Sequence, residues 1–151
     1  MIGSADYRRA ATARLEDARM LQSSEHWSGA TYLAGRGVEA MLRAVILKRS
    51  DRIDSGHDLK HHLKSARRLG MLTEDEARGG GRINDALNEL AIVWQNNRRY
   101  YDDRKLLSIL KRVTAYRRIR GGEDDFFKEC VRRILEAAEL IISRGDRAWI
   151  R

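Results

Sequence analysis

The chain has 151 residues, no proline, one cysteine and a formal net charge of +8. This length predicts a single domain with a substantial core, and no run of 18 apolar residues is present that could form a membrane-spanning helix. The lone Cys130 excludes an internal disulfide, and residues 1–13 lack the apolar stretch of a signal peptide. We therefore expect a cytoplasmic protein.

The first third of the chain shows clear helical periodicity. Apolar residues recur every three or four positions, which predicts a first helix over 5–25 and a second, more apolar helix over about 30–46. The second helix carries Ala30, Ala34 and Gly37 on its apolar face. Because short side chains reduce the distance between helix axes, these residues predict a closely packed neighbouring helix.

The remaining two thirds are predicted to be helical in shorter pieces. Further helices are expected over about 58–69, 83–97 and 126–143, with a helical stripe inside 98–122. Thr73 and Glu76 form a capping box, and Gly145 is a candidate cap for the last helix. No strand-like alternation occurs. The sequence predicts one all-α domain of five to six helices over 1–151, with a basic helical extension at about 98–122 and a short tail at 144–151.

Three short motifs occur in a recognisable order. Residues 32–39 read YLAGRGVE, residues 57–59 read HDL, and Trp94 is followed by RRY at residues 98–100. Together they resemble the HEPN superfamily of small helical bacterial and archaeal proteins. The resemblance implies an up-and-down helical bundle, often dimeric, that frequently works beside a small nucleotidyltransferase.

Many members of that superfamily are metal-independent RNases with an Arg-x(4–6)-His motif in a late helix. The His is expected to act as general base and the Arg to stabilise phosphate charge. All four histidines precede residue 63, so this late-helix motif is absent. Arg19 with His26 and Arg52 with His57 match the spacing elsewhere, but chance gives about two such pairs in so arginine-rich a chain. Arg52 and His57 are the candidates for a divergent catalytic site.

A zinc-like spacing also occurs, because His57 and His61 lie four residues apart. Asp58 stands where such motifs place a glutamate, and only the adjacent His62 follows. A helix-start turn in which Asp58 caps the helix is the preferred interpretation. We expect no metal and no other cofactor.

The positive charge is concentrated in residues 98–120, which hold nine Lys/Arg and two Asp/Glu. On one helix, Arg104, Lys111 and Arg118 would share a flank. Three interpretations stay open: contacts to nucleic-acid phosphates with tyrosines stacking on bases, a solvated face paired with neighbouring carboxylates, or a docking face for an acidic protein.

These observations predict a non-catalytic, dimeric module that binds RNA or a nucleotide through residues 98–120. The candidate contact residues are Arg98, Arg99, Tyr100, Tyr101, Arg104, Lys111, Arg112 and Arg118. The alternatives are a divergent metal-independent endoribonuclease and a nucleotidyltransferase partner in a toxin–antitoxin-type pair. Trp149 and Ile150 fit either docking on a neighbouring subunit or an untethered tail.

Overall fold

A computed structural model describes residues 1–50, 59–94 and 101–151, and these residues form seven α-helices and no strand. The helices are α1 (Ser4–Ser23), α2 (Trp27–Arg49), α3 (Leu59–Arg68), α4 (Glu74–Ala77), α5 (Arg82–Val93), α6 (Asp103–Leu110) and α7 (Glu123–Ile150). The all-α class is confirmed. The count exceeds five to six because the predicted capping box at Thr73 and Glu76 starts a one-turn helix of its own. Within the described ranges, no helix is both long and apolar enough to cross a membrane.

Helices α1 and α2 form an antiparallel pair. The Ser4 hydroxyl at the start of α1 donates to the carbonyl of Ala44 near the end of α2, at 2.7 Å. Ala11, facing α2, and Ala34 are completely buried, and a Cβ added at Gly37 would lie 3.1 Å from the carbonyl oxygen of Ala11. The predicted close approach of a helix to this small-residue face is therefore confirmed.

Helix α7 closes the bundle against this pair and against α5. It runs parallel to α2, because Trp27 stacks on Phe127 at one end of the two helices while Arg49 donates to the carbonyl of Ala148 at the other, at 2.6 Å. The fully buried side chains between the helices are mainly aliphatic. They include Met41, Leu42, Val45, Ile134 and Ile141.

Two parts of the sequence motifs meet in the core. Trp94, directly after α5, is 6% exposed, and a Cβ at Gly35 would lie only 1.9 Å from its indole ring. Glycine at position 35 is what lets the indole lie against α2. One turn further along α2, the buried carboxylate of Glu39 accepts hydrogen bonds from Arg36 at 2.9 Å and from Arg43 at 3.1 Å. Trp94 is therefore a core residue.

The end of α7 differs from the prediction. The helix continues to Ile150, whereas the sequence predicted an end near Ser143 and a tail over 144–151. Gly145 is a buried interior residue, and a Cβ there would lie 2.3 Å from Cγ of Met41. This glycine permits close contact between α7 and α2 and does not end the helix.

The last turn of α7 is held by a group of polar and aromatic contacts that we name the C-terminal clasp: Ser4, Arg8, Lys48, Asp146 and Trp149. The indole Nε1 of Trp149 donates to the Ser4 hydroxyl at 2.5 Å, and Arg8 and Lys48 lie 4.4 and 4.2 Å from its ring centroid. Arg8 also donates to Asp146 at 2.5 Å. Trp149 therefore docks within its own chain, which corrects the interpretation as an untethered tail. Docking of this end on a neighbouring subunit stays a prediction.

Candidate functional site

The described part of the basic region is residues 101–120, which we call the basic segment. Only its first half is helical, because α6 ends at Leu110 and the chain then turns into a short 3₁₀ helix at Thr114–Tyr116. The prediction that Arg104, Lys111 and Arg118 share one flank of a single helix is therefore wrong, because the helix ends before Lys111.

The reason lies in the apolar spacing of the segment. Leu110, Val113 and Tyr116 are all buried, and they are spaced exactly three residues apart in sequence. A three-residue spacing places side chains on one side of a tight 3₁₀ turn, so the chain keeps all three in the core by leaving the α-helical path. The cations between them face outward.

Tyr116 fixes the segment to the body of the protein. It has no exposed surface, and its hydroxyl donates to a carboxylate oxygen of Glu89 on α5 at 2.5 Å. Burial, and then the hydrogen bond to Glu89, raise the pKa of Tyr116 far above its usual value. The phenol therefore remains a protonated donor at any physiological pH, and the segment has a fixed backbone anchor.

Of the described carboxylates in and next to the basic segment, two accept hydrogen bonds from backbone amides, and all but one form no ion pair with a cation of the segment. Asp102 caps α6 by accepting from the amide of Lys105 at 2.9 Å, and Asp103 accepts from the amide of Ser28 at the start of α2, at 2.7 Å. The exception is an exposed pair between Lys111 and Glu123 at 3.0 Å. The predicted neutralisation by neighbouring carboxylates is thus limited to one lysine of the segment.

The other cations of the segment point into solvent. Lys105 lies 5.7 Å from the ring centroid of Tyr101, which is a weak contact at an exposed position. Five exposed arginines have no carboxylate within ion-pair distance among the described residues. They are Arg104, Arg112, Arg117, Arg118 and Arg120. The surface therefore presents a set of uncompensated guanidinium groups on an anchored backbone.

The end of the segment borders a cleft of about 850 Å³ between the α1–α2 turn and the first half of α7. Its lining includes the cations Arg118, Arg120 and Lys128, and Trp27 contributes an aromatic wall. The indole of Trp27 is held by Phe127, with the ring centroids 5.9 Å apart. The cleft combines cationic groups with an aromatic surface.

A charge network on α7 forms the remaining rim of this cleft. Glu129 accepts two hydrogen bonds from Arg132, at 2.8 and 2.9 Å, and one from Arg133 at 3.2 Å. Arg132 also donates to Glu136 at 2.6 Å. The hydrogen bonds from Arg132 lower the pKa of Glu129 to about 2, so this carboxylate stays ionised and holds both arginines.

The sequence-predicted residues divide into two groups. Tyr101, Arg104, Lys111, Arg112 and Arg118 belong to the basic segment as described above. The others lie outside the described residues: Arg52, His57, Arg98, Arg99 and Tyr100.

Trp27 and Lys128 line the cleft, although no sequence pattern indicated either of them as a site residue. They lie a hundred residues apart and come together only because α2 and α7 pack in parallel, and no local motif signals that contact. Arg120 was part of the basic residues 98–120. Its place at the cleft could not be predicted, because it depends on the direction that the chain takes after Tyr116.

Metal and thiol chemistry find little support in this part of the chain. No group of three His, Cys, Asp or Glu side chains is arranged to hold a metal ion among residues 1–50, 59–94 and 101–151. Cys130 is buried, and desolvation raises the pKa of its thiol to about 12. Cys130 is therefore a buried residue whose thiol stays protonated at physiological pH.

Comparison with protein families settles the resemblance. The family model of the HEPN domain matches residues 4–147, nearly the whole chain. The chain belongs to the HEPN domain family. Membership relates this HEPN domain to RNA- or nucleotide-associated modules in general. No curated protein and no solved structure gave a significant match.

Proposed function

We propose that this HEPN domain is a non-catalytic, cytoplasmic module that binds RNA as a dimer through its basic segment. The observation that carries the proposal is the set of five exposed arginines without carboxylate partners among the described residues, on a backbone anchored by Tyr116. Guanidinium groups donate to phosphate oxygens in a fixed planar geometry, which suits them to an RNA backbone.

The charge distribution favours the binding of a polyanion over the interpretation of the segment as a solvated face. Exposed cations held close together repel one another and create a positive potential that attracts anionic ligands. The nearby Asp102 and Asp103 form no ion pair with these arginines and accept hydrogen bonds from backbone amides instead. A phosphate backbone supplies the missing negative charge and releases counterions when it binds.

The positions of the histidines and of the α7 arginines support a non-catalytic function. No histidine lines the cleft beside the described basic segment, and all four histidines precede the late part of the chain. Arg132 and Arg133, the arginines nearest to the middle of α7, are held by Glu129. The surface supplies phosphate ligands without a histidine general base beside them.

The test is fluorescence anisotropy with a labelled 20-nucleotide RNA and a variant in which Arg112, Arg117, Arg118 and Arg120 are all alanine. We expect affinity to fall by roughly a hundredfold and the slope of log K against log salt to shrink by about 3, since each single-strand phosphate contact contributes about 0.7. Unchanged affinity and unchanged salt slope would overturn the proposal.

The matched control removes the same charge elsewhere. Arg68, Arg78, Arg82 and Arg147 are exposed and lie on other helices or turns, away from the segment. Replacing these four with alanine lowers the net charge by the same amount. An equal loss of affinity in this control would show that total charge, and not the segment, determines binding.

The same samples separate the alternatives. RNA recovered intact after incubation with EDTA supports a non-catalytic module, whereas cleavage that disappears in His57→Ala would establish the divergent endoribonuclease. Sedimentation equilibrium tests the dimer. Co-purification of an acidic protein, without any RNA affinity, would assign the segment to protein docking.

A further inference from the structure

The cleft at the end of the basic segment has the properties of a pocket for a nucleobase with its phosphate. Its volume of about 850 Å³ lies within the range of small-molecule sites in proteins. Arg118 and Arg120, at the end of the segment, belong to its lining, so a strand bound along the segment would reach it.

The charged lining of the cleft favours an anion. Five cationic side chains line it against three carboxylates. Glu129 already binds Arg132 and Arg133, which leaves the three other cations against two carboxylates. Those three cations have no ion-pair partner among the described residues: Arg118, Arg120 and Lys128.

The aromatic wall of the cleft offers a surface on which a base can stack. Trp27 is half-buried at the first residue of α2, where Phe127 supports its ring. An indole fixed in this way needs little ordering when a base stacks on it, and stacking is available to every base. Trp94 and Trp149 do not line this cleft, so of the three tryptophans of the chain only Trp27 would contact a ligand bound there.

We propose that the cleft takes one unpaired nucleotide, with the base stacked on Trp27 and its phosphate held by Arg118, Arg120 and Lys128. This inference rests on the proposed RNA binding of the basic segment and narrows it to single-stranded RNA. In a duplex the bases stack on one another and the deep groove is too narrow for side chains, so a recessed indole reaches only an unpaired base.

The experiment compares three labelled probes of equal length: an unstructured 12-nucleotide RNA, its perfect duplex, and a base-free sugar–phosphate 12-mer. We expect the unstructured RNA to bind the wild-type protein about tenfold more tightly than either other probe, the scale of one stacked base. Trp27→Ala should remove this preference, while Lys128→Ala should weaken the RNA and the base-free probe alike.

Tryptophan fluorescence gives a readout that does not depend on the folding of Trp27→Ala. RNA should quench emission in the wild type and in the matched variant Trp149→Phe. In Trp27→Phe quenching should disappear while binding persists, because phenylalanine still stacks. Quenching that survives in Trp27→Phe would overturn the pocket.

The two proposals fail in different ways. If none of the probes binds, the RNA-binding function itself is wrong. If all three bind equally and Trp27→Ala changes nothing, the basic segment binds polyanions but the cleft takes no base.

Discussion

The C-terminal clasp and the basic segment are both rich in cations, but they use them in opposite ways. In the clasp, Arg8 bonds to Asp146 and lies over the ring of Trp149. In the segment, Arg112 and Arg117 are exposed and have no carboxylate within ion-pair distance among the described residues. The contrast shows that arginine content alone does not indicate a binding surface. What distinguishes the segment is that these arginines form no ion pair among the described residues, while the nearby Asp102 and Asp103 accept hydrogen bonds from backbone amides.

The largest stability effect is expected at the clasp. Trp149→Ala removes a half-buried indole, its hydrogen bond to Ser4 and two cation contacts, so the free energy of unfolding should fall by about 2–3 kcal/mol. Urea unfolding followed by circular dichroism measures the change. An effect below about 0.5 kcal/mol, the usual range for surface substitutions, would show that the last turn of α7 contributes no stability.

The packing of α7 on α2 gives the next largest effect. In Gly145→Ala the new methyl group would lie 2.3 Å from Cγ of Met41, which is completely buried, so we expect a loss of about 2 kcal/mol from overpacking. Combining it with Met41→Ala should restore room for the methyl group. The double variant is then expected to be less destabilised than the sum of the two single variants, and strict additivity would contradict the contact.

The anchor of the basic segment should have a smaller effect. Tyr116→Phe keeps the buried ring but removes the donor to Glu89, which predicts a loss of about 1 kcal/mol. Because the ring still holds the backbone, RNA affinity should change by less than threefold. A large loss of affinity without a loss of stability would mean that the hydroxyl itself contacts the ligand.

The smallest effect concerns pH and the rim of the cleft. Bonds from Arg132 depress the pKa of Glu129 in the folded protein to about 2, below the value of about 4.3 expected for an unfolded chain. Its contribution to stability is therefore complete above about pH 4.3 and is lost as the pH falls towards 2. Unfolding free energies measured at pH 5, 4 and 3 should decline less steeply in Glu129→Gln than in the wild type. Parallel slopes would contradict the role of this carboxylate.

The elements with strong local signals were predictable from sequence. The apolar and small-residue face of α2, with Ala34 and Gly37, indicated both a helix and a close neighbour, and Thr73 with Glu76 marked the start of α4. Such features depend on periodicity and on bonds between residues three or four apart. Local chemistry was sufficient for them.

The features that escaped prediction depend on tertiary contacts. Gly145 resembles a helix cap in sequence, but the proximity of Met41 explains it. Helix α6 ends at Leu110 because Tyr116 is buried against α5. The seven-residue spacing of the cations had predicted a continuous helix instead. Trp27 becomes a cleft residue only through the parallel packing of α2 on α7.

The most direct test of the contrast between paired and unpaired arginines measures two quantities on two variants: RNA affinity by anisotropy and Tm by differential scanning calorimetry. The first variant carries alanine at Arg112, Arg117, Arg118 and Arg120, and the second carries alanine at the partnered Arg8 and Arg49. The segment variant should lose roughly a hundredfold in affinity, with Tm within about 2 °C of the wild type. The second should lose at least about 5 °C in Tm and retain its affinity at 15 °C, where it is folded. A segment variant that melts early and still binds RNA would contradict the account.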